Sequence, residues 1–167
     1  MELIFMVSPK TLNSSVLKNL ALPKNTYAFL SELISEFPQF KFTLSNRFKW
    51  KYPKSIYIDV KTPIPPLYFS LQTLHELGHA LSDHKDYQTD IKRLKMESEA
   101  WERVRELISN HPNWKTDYGI FYDEEFAESA LDSYRDWLHN RSKCKTCGLT
   151  CFQRKNGDWV CPSCDLL

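Results

Sequence analysis

Apolar residues recur every three or four positions in four stretches of the chain, the spacing typical of one face of an α-helix. The first stretch covers residues 25–36, with Asn25 or Thr26 as its N-cap. Further helices are predicted over residues 67–82, 89–109 and 123–140, the second of these beginning at a polar cap, Thr89 or Asp90. Residues 110–122 contain a proline and a glycine and are predicted to form a loop.

Between the first two helices the pattern changes to the alternation that is typical of β-strands. In residues 39–50 and just beyond, Phe48, Trp50 and Tyr52 fall on one face, and the intervening basic residues fall on the other. A second strand over residues 55–60 can pair with the first. A helix, two or three strands, three helices and a cysteine-rich tail together predict an α+β fold rather than a parallel α/β sheet.

Composition narrows the class of protein. The chain has 167 residues, of which 42% are hydrophobic, so it can bury a core of ordinary size. Its net charge of +1 does not mark the whole molecule as a polyanion binder, and its 4 glycines argue against a glycine-rich phosphate site. Residues 1–7 are too short and too weakly basic for a secretory signal, and no apolar run approaches the ~20 residues that span a bilayer. A cytoplasmic protein without a membrane contact is expected.

All 5 cysteines lie at the C-terminal end of the chain. They are Cys144, Cys147, Cys151, Cys161 and Cys164. A secreted domain stapled by disulfides would spread its cysteines through the fold, whereas clustered C-x-x-C pairs in a cytosolic chain indicate a metal site.

The spacing of the cysteines favours a zinc ribbon. Cys144 and Cys147 form one C-x-x-C pair, Cys161 and Cys164 form the other, and Asn156-Gly157 between them is a hairpin signal. Four thiolates would hold one structural zinc ion, and Cys151 is left over. A redox dithiol is the alternative, but it lacks a βαβ context. The predicted boundaries are a larger domain over residues 1–140 and a ribbon over residues 141–167.

Two segments have an excess of basic residues. The predicted ribbon carries five basic residues against two acidic ones, which permits contact with nucleic acid but also suits a solvated ribbon that docks protein. Protein recognition or structural capping is preferred slightly. Residues 41–54 carry five basic residues and no acid, and here a half-buried strand with a charged outer face fits better than a nucleic-acid surface.

The most informative motif is His75-Glu76-Leu77-Gly78-His79, which lies within the predicted helix over residues 67–82. Residues four apart lie on one helix face, about 6 Å apart along the axis, so both imidazoles can reach one metal ion. Glu76 then lies beside the metal, where it can take a proton from a bound water. Gly78 costs about 1 kcal/mol of helix propensity, and a small residue there would let another element approach closely.

A hydrolytic zinc site needs a third protein ligand. Glu97 lies on the apolar face of its predicted helix, whereas Glu99 lies on the charged face. A buried carboxylate must be paired or metal-bound, so Glu97 is the better candidate, although a salt bridge to a buried basic residue would also satisfy it. His84 is the second candidate for the third ligand. It could instead be a surface histidine or a donor of a hydrogen bond to the transition state. His111 cannot be placed.

The motif followed by Glu97-Ser98-Glu99-Ala100 resembles the gluzincin pattern, and it is most similar to ImmA/IrrE-type and related phage-associated metallopeptidases. The resemblance covers about residues 55–108. It implies a minimal zincin-like fold in which the strand before the active helix binds an extended peptide. It also implies that His75, His79 and Glu97 are zinc ligands and that Glu76 is the general base.

Two departures from related families limit the comparison. Trp101 follows Ala100, where gluzincins of this kind often have a small polar or acidic residue that orients the histidines. SprT-like proteases also combine this motif with a C-terminal zinc ribbon, but they use a third histidine, and no matching segment follows His79.

The predicted function is that of a zinc metallopeptidase with one catalytic and one structural zinc ion and a protein substrate. Candidate donors to the oxyanion are His84, Tyr87, Tyr118 and Tyr122, although each tyrosine by itself is more simply a packing residue. The alternative is a non-enzymatic module whose ribbon binds nucleic acid or protein on a zincin-like scaffold.

Overall fold

A computed structural model of the protein describes residues 11–12, 20 and 22–165. Within these residues the chain forms five helices and five short strands, so the α+β class is confirmed. The elements are α1 (Lys24–Glu36), β1 (Lys41–Ser45), β2 (Lys49–Lys51), β3 (Ser55–Asp59), α2 (Pro66–Leu81), α3 (Asp90–Asn110), α4 (Asn113–Tyr118), α5 (Glu124–Ser142), β4 (Phe152–Gln153) and β5 (Trp159–Val160).

The first three strands form a mixed sheet in the order β1-β3-β2. β1 is parallel to β3 and β2 is antiparallel to it, with Trp50 opposite Ile56. The prediction of one strand over residues 39–50 is therefore wrong: a bend at residues 46–47 divides it and sends its halves to opposite sides of β3. Tyr52 lies beyond β2 and is 45% exposed, so it does not share the face of Phe48 and Trp50.

The core lies between one face of this sheet and the helices. Phe42, Ile56 and Ile58 are buried on the sheet, and Leu71, Leu74 and Leu77 are buried on α2. Helices α2 and α3 pack closely because Gly78 has no side chain: a Cβ atom there would lie 2.6 Å from the carbonyl oxygen of Ala100. The predicted close approach at Gly78 is confirmed.

Two of the five helices in the described residues begin at a side-chain N-cap. The Thr89 hydroxyl accepts a hydrogen bond from the Lys92 N–H, and the Asp123 carboxylate accepts one from the Phe126 N–H, so both helices have side-chain caps. Helix α1 instead begins at Lys24 after Pro23, and the predicted cap at Asn25 or Thr26 is wrong.

The segment predicted as a loop over residues 110–122 contains the short helix α4. Trp114 on α4 is fully buried, and its ring meets that of Phe29 on α1 edge-to-face with centroids 5.3 Å apart. Burial of this aromatic pair outweighs the loop signals around it.

The C-terminal part packs against the start of α3. The carboxylate of Asp90 accepts hydrogen bonds from Arg141 Nε at 2.5 Å and Trp159 Nε1 at 2.9 Å. Its backbone N–H donates to Gln153 Oε1 at 2.8 Å. Strands β4 and β5 form the antiparallel hairpin predicted around Asn156-Gly157. Helix α5 continues past position 140, and a domain boundary there stays a prediction.

None of the helices in the described part of the chain has the length and apolar character required to cross a membrane. The prediction that residues 1–7 are not a secretory signal lies outside the described residues.

Candidate metal centre and adjoining cleft

Helix α2 presents both histidines of the motif on its buried side. His75 and His79 are 6% and 8% exposed, and their Nε2 atoms lie 3.2 Å apart. They share this face because the helix advances by slightly more than one turn over four residues. Their rings meet edge-to-face rather than in parallel, which directs both nitrogens toward one point.

Helix α3 adds a carboxylate at the same point. Glu97 Oε2 lies 3.0 Å from Nε2 of His75 and 3.4 Å from Nε2 of His79. Glu97 is 7% exposed, and the close packing of α3 against Gly78 of α2 brings it within reach. The nitrogen atoms and the carboxylate oxygen therefore form a compact triangle.

The dimensions of this triangle suit a zinc ion. Tetrahedral coordination with bonds of about 2.0–2.1 Å separates the ligand atoms by about 3.3 Å. The distances of 3.0, 3.2 and 3.4 Å match that separation. Two imidazoles and a carboxylate are also a donor set that zinc prefers. The residues present thus fit the group.

The charge states of these side chains favour metal binding. Burial raises the pKa of Glu97, but the neighbouring His75 and His79 side chains outweigh it and hold that pKa well below the usual range. Burial lowers the pKa of His75, which favours the neutral imidazole. A carboxylate and neutral imidazoles are the forms that bind metal.

Glu76 lies next to the triangle and is 9% exposed. Burial raises the pKa of its carboxyl group to about 7, against the smaller opposing effects of the His79 charge and the backbone N–H of Trp50. A cation bound by the neighbouring histidines would lower that pKa and favour the carboxylate. Glu76 can therefore accept and release a proton near neutral pH.

An open cleft of about 420 Å³ gives access to these residues. Its walls come from α2, the start of β2, α3 and α5. The lining residues are Phe48, Gln72, His75, Glu76, Trp101, Phe126, Ser129, Ala130, Ser133 and Tyr134. The cleft is therefore lined by both His75 of the triangle and Glu76.

Tyr134 is the functional candidate that the sequence did not reveal. Its hydroxyl interacts with Glu97 and Arg93, and burial, followed by the charge of Glu97, raises its pKa to about 12. It therefore keeps its proton and can donate a hydrogen bond. No local motif marks it. Only its spacing after Phe126 and Ala130, which puts it on their face of α5, hints at a shared cleft.

The three tyrosines proposed as oxyanion donors lie elsewhere. Tyr118 donates to Glu32 on α1, and Tyr122 interacts with Arg105. Tyr87 is 42% exposed and packs against Arg93. None of the three lines the cleft. Tyr118 and Tyr122 follow α3 and contact α1 and α3, whereas Tyr87 precedes α3 and contacts its first turn.

His84 lies behind His79 rather than at the surface, where one interpretation placed it. It is 7% exposed, and its Nδ1 atom lies 2.7 Å from Nδ1 of His79. That contact is made by Nδ1 of His79 and not by Nε2, so His84 is not part of the triangle, and it does not line the cleft. Its own Nε2 lies 3.1 Å from Oε2 of Glu99.

His111 is also remote from the triangle. It stacks on Trp114 with ring centroids 4.1 Å apart, and its Nε2 lies 2.8 Å from Glu36 Oε1. It joins the end of α3 to α1.

The two motif histidines have different surroundings. Nδ1 of His75 is buried and has no hydrogen-bond partner among the described residues. The Trp101 ring stacks on His75 with centroids 4.5 Å apart. Position 101, where the resemblance leads one to expect a polar partner for a histidine, thus carries a tryptophan that stacks on His75 instead of hydrogen-bonding to it.

The four paired cysteines form a second candidate metal centre. Their sulfur atoms all lie within 4.8 Å of one another, with Sγ of Cys147 and Cys161 at 3.5 Å and Sγ of Cys144 and Cys164 at 4.0 Å. Tetrahedral zinc with bonds of about 2.3 Å requires sulfur atoms about 3.8 Å apart. The cluster can thus hold one metal ion, consistent with a structural zinc.

Backbone N–H groups favour the thiolate form of one of these cysteines. N–H groups of Cys147 and Thr146 hydrogen-bond to the sulfur of Cys144 and lower its pKa to about 6. Thiolate is the form that binds zinc. Cys151 remains outside the cluster, with its sulfur 4.0 Å from the carbonyl oxygen of Leu149.

Comparison of the chain with protein-family models, curated proteins and solved structures gives no match in any of the three. Its function is therefore inferred from its own residues.

Proposed function

We propose that the protein is a zinc-dependent metallopeptidase of the gluzincin kind, with a zincin-like catalytic part and a structural zinc ribbon. One observation carries the proposal: His75, His79 and Glu97 converge at tetrahedral ligand spacing beside a buried glutamate in an open cleft. A salt bridge alone would need only one histidine against Glu97. Here two imidazole nitrogens and the carboxylate meet, which favours a metal ligand set over a simple ion pair.

A zinc ion held at this triangle would supply the electrophile, because it lowers the pKa of a water to near 7 and polarises a carbonyl group. Glu76 takes the proton of the attacking water on its carboxylate and then donates it to the leaving amine nitrogen. Tyr134 donates a hydrogen bond to the developing oxyanion from across the cleft.

The sheet supports a peptide as substrate. β2 is an edge strand, and the backbone N–H of Trp50 is directed toward Glu76 rather than toward β3. An extended peptide can add to such an edge through backbone hydrogen bonds, which places its carbonyl groups beside the metal triangle. Phe48 and Phe126 in the cleft walls offer apolar contacts to side chains of the peptide.

Counting metal ions tests the first part of the proposal. Elemental analysis is expected to give about two zinc ions per chain, and about one in the double variant His75→Ala/His79→Ala. About one zinc ion in both proteins, also after zinc is added back, would contradict a metal site in the motif helix.

Glu76→Gln tests the catalytic part. The amide cannot accept a proton, so turnover of a peptide library is expected to fall by at least about 10²-fold while zinc content stays the same. Glu102→Gln, an exposed change on α3, is the matched control and should keep full activity. Equal turnover in the Glu76→Gln variant and the wild type would rule out the proposed general base.

A binding module is the second candidate function, and one observation favours it. The ribbon exposes two large apolar side chains, Leu149 at 49% and Phe152 at 47%, close to its basic residues. Such a surface suits protein docking. If the protein acts only through this surface, Glu76→Gln leaves its cellular role intact and Phe152→Ser removes it.

A further inference from the structure

The strongest unexplained feature is a chain of hydrogen bonds that leads away from the proposed metal site. It begins at Nδ1 of His79, passes through the ring of His84 and ends at Glu99, with distances of 2.7 Å and 3.1 Å. The relative positions of these residues in the sequence give no sign of it.

Glu99 sets the direction of the protons in this chain. A carboxylate can only accept, so Nε2 of His84 must carry the proton that it donates. Nδ1 of a neutral His84 is then an acceptor, and the 2.7 Å contact requires the proton on Nδ1 of His79. Nε2 of His79 is left with a free lone pair, directed at His75 and Glu97. That lone pair is the one that a metal ion bound by His79 would require.

The backbone holds His84 in place from both sides. Helix α2 ends at Leu81, and Asp83 adopts a left-handed conformation with φ of 50°, which turns the chain back toward His79. The His84 N–H donates to the carbonyl oxygen of His79 at 3.1 Å, and its carbonyl oxygen accepts from Trp50 Nε1 at 2.7 Å. The ring is therefore fixed before any ligand binds.

We propose that His84, held by Glu99, is a positioning residue that fixes the tautomer and ring orientation of His79 for metal binding. Such partners of metal-bound histidines are typically worth about 10- to 100-fold in metal affinity. The effect is asymmetric, because Nδ1 of His75 has no partner in the described residues and depends on Trp101 for its orientation.

Two amide substitutions separate this role from a merely structural one. His84→Asn keeps an acceptor where Nδ1 stands and loses the contact with Glu99. His84→Gln reaches Glu99 like Nε2 and loses the acceptor facing His79. A residue that only anchors its loop would be replaced at least as well by glutamine as by asparagine.

The experiment uses the full chain with the cysteine site first filled with zinc, followed by titration with Co²⁺ and detection of its visible absorption. His84→Ala and His84→Gln are expected to weaken Co²⁺ binding about 10- to 100-fold, and His84→Asn is expected to restore most of the affinity. The free energy of unfolding of each variant, measured without Co²⁺, shows whether a loss comes from misfolding.

Equal affinity in all four proteins, or asparagine no better than alanine, would overturn the proposal. The proposal rests on the metal site of the proposed function but not on peptidase activity. Tight Co²⁺ binding with no peptide cleavage would reject the peptidase. The Co²⁺ affinities of the His84 variants relative to the wild type would still test the role of His84. Absence of any Co²⁺ binding to the wild type would reject both.

Discussion

Each residue around the metal triangle has a chemical state that its neighbours impose. Glu76 and Glu97 are both buried glutamates, yet burial raises the pKa of Glu76 to about 7, whereas the two histidines hold that of Glu97 far lower. Divergent pKa values in one site fit the two roles that we propose, Glu76 as proton carrier and Glu97 as anionic ligand. Tyr134, with a pKa raised to about 12, completes the set as a hydrogen-bond donor.

Tyr134→Phe is expected to lower kcat for peptide hydrolysis by about 10²-fold, because it removes one donor to the oxyanion. KM and zinc content should stay close to the wild type. Steady-state kinetics and elemental analysis check this, with Tyr118→Phe as control, since that hydroxyl binds Glu32 outside the cleft. Loss of zinc with unchanged kcat per bound zinc would show instead that the hydroxyl only holds Glu97.

At the scale of elements, the site depends on the contact between α2 and α3. The histidines come from one helix and the carboxylate from the other, so their distances are set by how closely the helices approach. Gly78 and Ala100 make this approach possible, because the backbone of Ala100 occupies the space that a side chain at position 78 would need. Gly78 therefore lowers the helix propensity of α2 but allows α2 to pack closely against α3.

Gly78→Ala is expected to lower the free energy of unfolding by about 1–3 kcal/mol, because the new Cβ meets backbone that cannot move aside. This is the net change, because the strain of the new contact outweighs the gain of about 1 kcal/mol in helix propensity. Urea denaturation measures the change. Ser98→Ala, at an exposed position of α3, is the control and should change the free energy by less than about 0.5 kcal/mol. A stabilised Gly78→Ala protein would contradict the packing described.

At the scale of the whole molecule, helix α3 connects the ribbon to the triangle of His75, His79 and Glu97, because it contacts the ribbon at Asp90 and carries Glu97. Asp90 at the start of α3 accepts from Arg141 and Trp159, and one turn later Arg93 lies over the rings of Tyr134 and Trp137. Arg93 Nε is 3.9 Å from Glu97. Contacts therefore run continuously from the ribbon to the third proposed ligand.

Asp90→Ala is expected to lower the free energy of unfolding by about 1.5–3 kcal/mol, since a buried carboxylate and its two donors lose their hydrogen bonds. Limited proteolysis should then cut between α5 and β4 more rapidly. Asp132→Ala, which removes an exposed pair with Arg135, is the matched control and should cost about 0–1 kcal/mol. Equal stability of the two variants would mean that the ribbon is not anchored through Asp90.

Local chemistry explains the features that were predicted correctly from the sequence. Helix periodicity placed α2, α3 and α5, and the capping side chain of Thr89 marked the start of α3. Periodicity also distinguished Glu97 from Glu99, because one lies on the apolar face of α3 and the other does not. The predictions that failed involved competition between local signals and distant partners, as at Trp114, whose burial formed α4 within a predicted loop.

The sequence alone determined which residues offer ligand chemistry: His75 and His79 four apart on a helix, Glu97 on a buried face, and cysteine pairs flanking a hairpin. Each of these depends on spacing along a regular element, which the chain encodes locally. The tertiary structure decided the rest. It divided one expected strand between two sides of β3, put Tyr134 into the cleft and turned His84 behind His79. These positions depend on how separate elements pack, and no local pattern contains that information.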